Sequence, residues 1–162
     1  MRRWRDASPE TRKVITVNTT HRIAPWSDAV FALDLKWWQH EDNSDVYHFA
    51  GAKFSSSFSG RGVVKLQRPF EHHGNSGAAA VSLAYMFGAA RIYLLGYDCQ
   101  RTGGKAHWHG DHPKGLGNAG SMPTWAKKFQ RCAEHVRVPV VNCTRSTALT
   151  CWPRQELEQV IG

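Results

Sequence analysis

The stretch that decides the fold runs from Gly74 to Gln100, "GNSGAAAVSLAYMFGAARIYLLGYDCQ". It opens with a small-residue turn in which Asn75 or Ser76 is a suitable N-cap. "AAAVSLAYMF" has the propensity and the apolar face of a helix, and Gly88 fits the left-handed position after a helix end. "RIYLLGYD" is typical of a parallel strand buried on both faces. The stretch therefore predicts a turn, a helix, a turn and a strand of an α/β protein.

Apolar and amphipathic runs alternate outward from this stretch. Strands are predicted in "KVITVN" (13–18), "DAVFALD" (28–34), "GVVKLQR" (62–68) and "VPVVNCT" (138–144), and "VYHFAGAKFSSS" (46–57) is predicted to hold a strand and a polar loop. Helices are predicted in "LKWWQHE" (35–41), "PTWAKKFQRCAEHVR" (123–137) and "WPRQELEQVIG" (152–162), the last two with proline near the start. This alternation predicts one α/β domain over residues 1–162, built on a Rossmann-like parallel sheet flanked by helices.

The chain length, the lengths of the apolar runs and the cysteine spacing narrow the class of protein. The chain has 162 residues, which is enough for one domain with a core. It has no apolar run of about 18 residues for a membrane helix, and no apolar stretch follows the basic first residues as in a secretory signal. The four cysteines lack zinc-finger spacing, so they are interpreted as thiols in a reducing compartment. A cytoplasmic protein without a membrane partner is expected.

The charge balance favours an anionic partner. The net charge is +8 at pH 7, and the isoelectric point is about 9.6. A nucleotide, a nucleic acid or a phosphorylated sugar would suit it, although a basic surface that only keeps the protein in solution explains it equally well. Several of the seven Trp and nine His lie in predicted loops, where such side chains often contact ligands.

Polar residues close four of the predicted strands, namely Asn18, Asp34, Asp98 and Asn142. Ligands of open parallel sheets bind beyond the carboxyl ends of the strands. One polar strand end is expected by chance, but four together favour a polar cleft.

The "GNSG" turn at the start of the helix is a second feature of interest. The free N–H groups of Asn75, Ser76 and Gly77 and the helix dipole suit a phosphate or carboxylate. The turn matches neither G-x-G-x-x-G nor a Walker sequence, so taken alone it is better explained as a plain N-cap.

The loop "GGKAHWHGDHPKGLGN" carries His107, His109, Asp111 and His112 within six positions. A general base, a phosphate contact and a metal site are all compatible with these residue types. Ligands this close together in a Gly-rich loop fit a closed zinc site poorly. A loop histidine acting as acid or base is preferred because Asp98 precedes the loop at a strand end; a solvated loop is the alternative.

Two further features of the sequence each have a ligand-binding and a structural interpretation. Trp37 or Trp38, after a strand end, would stack on a base or sugar, but packing of at least one of them under the sheet is favoured. Arg145, after the last strand, would clamp a phosphate or serve as a surface charge.

The segment "NSGAAAVSLAYMFGAARIYLLGYD" resembles one found in bacterial sialyltransferases that use cytidine monophosphate sialic acid. It is also similar to the related DUF115 group. Small phage and prophage proteins resemble the chain more closely, through "VNTTHRIAPWSDAVFALDLKWWQHE", "HWHGDHP" and "VNCTRSTALTCWPR". The resemblance extends from about Val14 to the end.

The resemblance implies roles for individual residues. Asn18 and Asp34 match nucleotide-contacting asparagines, and Ser76 and Gly77 match the Ser-Gly that meets the nucleotide or its sugar. His107 or His109 falls where those enzymes carry a catalytic histidine. The first strand of the family and its Gly-rich phosphate turn are missing before "KVITVN", which would remove a central strand and part of the phosphate site.

Three functions are consistent with these features. The first is a transferase using a nucleotide-activated sugar, with His107, His109 and Asp98 catalytic and a nucleic acid or glycan as acceptor. Its nucleotide contacts are expected at Asn18, Asp34, Asn75, Ser76, Gly77, Asn142 and Arg145, with no resident metal.

The second is a non-catalytic phage module that sequesters a nucleotide in the host cytoplasm. The third is a structural or assembly protein that keeps only the fold. A diphosphokinase, with Asp98 and Asp111 helping to bind Mg²⁺, is a variant of the first. A partner subunit supplying the missing strand would make a homo-oligomer.

Overall fold

The computed structural model of the chain describes residues 1–101, 104, 116 and 120–161. It divides into two compact units, Met1–Ala80 and Val81–Gly162, and each is described by itself. The α/β class is confirmed, because parallel strands alternate with helices in both units. That the whole chain is a single domain stays a prediction.

The described part of the first unit holds a four-stranded sheet in the order β1-β2-β3-β4. The strands are β1 (Ile15–Val17), β2 (Ala29–Phe31), β3 (Ala52–Ser55) and β4 (Val63–Lys65). Each neighbouring pair is parallel, as predicted, and Val17 lies opposite Phe31. All three residues of β2 are buried.

Short helices connect these strands. They are α1 (Arg2–Asp6) before the sheet, a first 3₁₀ helix (Asn18–Arg22) after β1, α2 (Leu35–Gln39) after β2, and a second 3₁₀ helix (Glu41–His48). The strand predicted over 46–57 is wrong in its first part, because Val46–His48 belongs to the second 3₁₀ helix. There the Asn43 amide donates to the Trp37 carbonyl at 2.9 Å, which holds the segment against α2.

The helix of the "GNSG" stretch, α3 (Ser76–Met86), is confirmed and runs across the boundary between the units. Asn75 is its N-cap, since its Oδ1 accepts from the Ala78 amide at 3.0 Å. The Ser76 hydroxyl instead accepts from the Leu33 amide at 3.2 Å, which joins the start of the helix to the segment after β2. Gly88 takes the predicted left-handed conformation, with φ of 81°.

In the second unit, β5 (Ile92–Leu94) pairs in parallel with β6 (Val140–Asn142). The helices among its described residues are a third 3₁₀ helix (Met122–Thr124), α4 (Trp125–His135) and α5 (Leu157–Ile161). The last helix was predicted to begin near Pro153, which is wrong. The Pro153 carbonyl accepts from the Asn142 amide at 2.9 Å and the Gln155 amide donates to the Asn142 carbonyl at 3.1 Å, so this segment runs extended beside β6.

The cysteines carry free thiols, as predicted. Burial raises the pKa of Cys99 to about 12 and that of Cys132 to about 11, so neither is a ready nucleophile. In the described part of the chain, no helix combines the length and apolar character needed to cross a membrane.

Replacing Asn75, the N-cap of α3, tests how much the stability of this helix depends on the capping hydrogen bond. We expect Asn75→Ala to lower the free energy of unfolding by about 1 kcal/mol, because the Ala78 amide loses its acceptor. Asn75→Asp keeps an acceptor and should stay close to wild type in urea unfolding. Equal losses in the two variants would contradict the capping role.

Candidate functional site

The carboxyl ends of β1 and β2 lie side by side, because the two strands are parallel neighbours. Asn18 follows β1 directly, and Asp34 stands immediately before α2. The Asp34 side chain is exposed and makes no capping hydrogen bond, while its backbone carbonyl accepts from the Trp37 amide at 3.1 Å. The structure therefore places two predicted nucleotide contacts at one edge of the sheet.

The backbone at Asn18 is left-handed, with φ of 51°. Asparagine tolerates this region better than most residues, but single strained residues of this kind cost on the order of 1 kcal/mol and concentrate at ligand sites. The reversal lets the chain pass directly from β1 into the first 3₁₀ helix. The polar run Asn18–Arg22 is thereby held at the strand end.

Three buried polar atoms near this turn have no hydrogen-bond partner among the described residues. They are Asn18 Oδ1, Thr19 Oγ1 and Trp37 Nε1. Thr19 is 6% exposed and Trp37 is 3% exposed. An unsatisfied buried group costs about 1–3 kcal/mol, and folded proteins rarely leave one without a purpose. An amide, a hydroxyl and an indole N–H together offer both accepting and donating groups to an uncharged polar ligand.

The imidazole of His21 connects these residues. It is buried, and its Nδ1 lies 2.9 Å from the Asn18 carbonyl oxygen. The ring meets Trp37 edge-on, with centroids 6.1 Å apart, and meets Phe49 in the same way at the same distance. Asn18 and Trp37 therefore both contact one buried ring, and Thr19 lies next to Asn18 in the chain.

The outer side of this ring is held by an ion pair. His21 Nε2 lies 3.1 Å from Asp45 Oδ2. Arg22 donates from Nε to Oδ2 at 2.9 Å and from Nη2 to Oδ1 at 2.8 Å, so both carboxylate oxygens are engaged. The Arg22 hydrogen bonds lower the pKa of Asp45 to about 2. Arg22 also donates to the Asp42 carbonyl, which ties the first 3₁₀ helix to the second.

Both polar side chains of the "GNSG" turn already have partners within the protein. The Asn75 amide caps α3, and the Ser76 hydroxyl accepts from Leu33. These two residues, predicted as nucleotide contacts, thus build the turn next to Asp34. Gly77 follows them as the second residue of α3.

In the second unit, Asn142 is fully buried and serves as a scaffold. Its Nδ2 donates to Thr147 Oγ1 at 3.2 Å, and its Oδ1 accepts from the Thr144 amide at 3.0 Å. The Thr147 hydroxyl donates to the Tyr97 carbonyl at 2.6 Å, which ties the segment after β6 to the segment after β5. The predicted ligand contact at Asn142 is therefore occupied by structural bonds.

The other predicted residues of the second unit are Asp98, Arg145 and those of the histidine loop. Asp98 is half-buried, and its backbone carbonyl accepts from the Ala148 amide at 2.8 Å. Arg145 is exposed. His107, His109 and Asp111 lie outside the described residues. Among the residues that are described, no group of three or more His, Cys, Asp or Glu side chains is placed to hold a metal ion.

Sequence reasoning missed the part of this cluster that lies after the strand end. Thr19, His21 and Arg22 stand in "NTTHR", a polar run directly after a buried strand, and that position was a usable signal. Asp45 is 24 residues beyond His21, and no local pattern joins the two.

Comparisons with known proteins give no assignment. No family model matches the chain, and neither a curated protein nor a solved structure matches it. The residues described above are therefore the basis for the function.

Two substitutions that both remove the Asn18 amide test whether the backbone at this position is left-handed. Asn18→Gly keeps the left-handed turn at little cost, whereas Asn18→Ala should lose roughly 1–2 kcal/mol of unfolding free energy. Chemical denaturation of both variants measures the difference. Equal stability of the two variants would show that the turn at residue 18 is not left-handed.

The Asp45 carboxylate should make the stability of the folded chain depend on pH in the acid range. Its pKa in the folded chain is about 2, below the value of about 3.9 for an unfolded aspartate. The stability it adds is therefore complete above about pH 4 and is lost as the pH falls towards 2. We expect the melting temperatures of wild type and Asp45→Asn to differ at pH 6 and to converge near pH 2. Asp42→Asn is the control, because Asp42 bonds Arg22 through its backbone carbonyl. A difference independent of pH would contradict this assignment.

Proposed function

We propose that the chain binds a nucleotide at the carboxyl ends of β1 and β2 and is a transferase acting on a nucleotide-activated sugar. The observation that carries the proposal is the set of unpartnered buried polar atoms on Asn18, Thr19 and Trp37. Ligands of parallel α/β sheets bind at this edge, and the finer assignment of the fold as Rossmann-like belongs to the same proposal.

The chemistry of the site suits the nucleoside part of such a ligand. A base edge and a ribose both present donors and acceptors without charge, and so match an amide, a hydroxyl and an indole N–H. The exposed Asp34 carboxylate at the same edge would accept from a ribose hydroxyl. The net charge of +8 favours approach of the phosphates.

The resemblance to bacterial sialyltransferases supports a cytidine nucleotide as donor. In that scheme His107 or His109 takes the proton from the acceptor hydroxyl, which then attacks the sugar carbon as the nucleotide phosphate leaves. Asp98, just before the histidine loop, would orient that base. A nucleic acid or a glycan would serve as acceptor.

One observation favours the second candidate, a protein that sequesters a nucleotide without turnover. The unpartnered groups of the cluster are binding groups, while both nitrogens of His21 are already engaged by the protein. Binding at this edge therefore needs no base. The Mg²⁺-dependent diphosphokinase remains a variant of the first candidate that requires Asp98 and Asp111.

A thermal-shift panel of nucleoside monophosphates, sugar nucleotides and cyclic dinucleotides, with and without Mg²⁺, tests binding in any of these forms. A ligand selective for the folded chain raises its melting temperature. Thr19→Val removes the orphan hydroxyl and keeps the shape, so we expect the ligand-free protein to melt no lower than wild type but to gain less from the nucleotide. Thr20→Val, the next residue of the same 3₁₀ helix, is the matched control.

The outcomes separate the candidates. A cytidine sugar nucleotide as ligand, with turnover lost in His107→Ala and His109→Ala at unchanged donor affinity, supports the transferase. Binding without turnover supports sequestration, and a shift that needs Mg²⁺ supports the diphosphokinase. A cooperative melt with no shift anywhere in the panel would overturn nucleotide binding.

A further inference from the structure

Both ring nitrogens of the buried His21 face oxygen atoms that only accept hydrogen bonds. Nδ1 lies 2.9 Å from the Asn18 carbonyl, and Nε2 lies 3.1 Å from a carboxylate oxygen of Asp45. A neutral imidazole carries a single N–H and would leave one of these contacts as two opposed lone pairs. Only the doubly protonated ring satisfies both.

We infer that His21 is a positioning residue of the nucleotide site, and that its second ring proton controls that site. The inference rests on the proposed function. With both protons, the ring holds the Asn18 carbonyl and so fixes the left-handed turn that presents Asn18 and Thr19 to the ligand. Loss of one proton releases the turn and weakens binding.

The surroundings of the ring decide which hydrogen bond is lost. The charged groups on its Nε2 side are Asp45 and, bound to both oxygens of that carboxylate, Arg22. The other packed neighbours, Trp37 from α2 and Phe49 after the second 3₁₀ helix, are uncharged. A charged acceptor holds a proton more strongly than a neutral one, so the remaining proton stays on Nε2. The bond to the Asn18 carbonyl is therefore the one that breaks.

The same network explains how the turn depends on distant residues. Arg22 fixes Asp45, Asp45 fixes the ring, and the ring fixes Asn18. Asp45 lies in the second 3₁₀ helix and, among the described residues, contacts the turn through His21 and Arg22. Asp45 therefore acts on the nucleotide site through these two residues and not by direct contact with the ligand.

The test follows His21 by NMR in the uniformly ¹⁵N-labelled full chain, between pH 5.5 and 9. Comparison with His21→Gln assigns the ring signals. Cytidine monophosphate is titrated at each pH, and because its phosphate also titrates, the His21 component is the difference between wild type and His21→Gln. His40→Gln is the control, because it makes the same substitution at another histidine, whose ring contacts Asp42 in the second 3₁₀ helix.

We expect both ring nitrogens to be protonated at pH 5.5. Where the ring loses a proton, cytidine monophosphate affinity should fall by about threefold to tenfold at the same midpoint, the range for one net hydrogen bond. If the ring keeps both protons up to pH 9, His21→Gln must bind cytidine monophosphate at least threefold more weakly than wild type, and equal affinity of the two proteins would overturn the inference. A singly protonated ring at pH 5.5, a proton lost without change in affinity, or affinity lost while the ring keeps both protons would each overturn the inference.

Failure of the proposed function is distinguishable from failure of this inference. If no nucleotide binds, the ligand-free spectra still decide, because the backbone amide signals of Asn18 and Thr19 must shift together with the His21 ring as it loses a proton. Independence of these signals from the ring would overturn the positioning role by itself.

Discussion

The parallel pairing of β1 with β2 is the constraint on which the candidate site depends. It brings the ends of two strands, separated in sequence by the first 3₁₀ helix, to one edge of the sheet. The left-handed Asn18 then turns the chain sharply enough for Thr19, His21 and Arg22 to follow at that edge. Without the pairing, the polar residues after each strand would have no common place to meet.

The unpartnered groups of the candidate site lower the stability of the protein. The unpartnered groups of Thr19 and Trp37 are unfavourable in the ligand-free protein, and apolar replacements of similar shape would cost less. The nearby network is satisfied when His21 carries both ring protons, since Asp45 bonds both His21 and Arg22 and the ring also bonds the Asn18 carbonyl. A rigid frame around unsatisfied groups is what a prearranged binding site requires. The Trp38 indole, by contrast, donates to the Ala32 carbonyl at 2.9 Å and has only a packing role.

Much of the fold could be predicted from the sequence, because short β-branched runs and one well-capped helix encode their own structure. β1, β2, β4, α3 and α4 follow such local signals. The part of the site at strand ends, Asn18 and Asp34, was also visible. Contacts between distant parts of the chain were not visible: no local pattern shows that the Ser76 hydroxyl accepts from the Leu33 amide or that Asp45 meets His21. Those depend on tertiary pairing, which periodicity does not report.

The most direct test of the account observes the Trp37 indole N–H by NMR during titration with cytidine monophosphate, with Trp37→Phe used to assign the signal. The unpartnered N–H should gain an acceptor from the ligand, so its resonance should move downfield and saturate, while that of Trp38, already bonded to Ala32, stays in place. A saturating titration seen at other residues that leaves the Trp37 indole unchanged would contradict the account, because the nucleotide would then bind elsewhere.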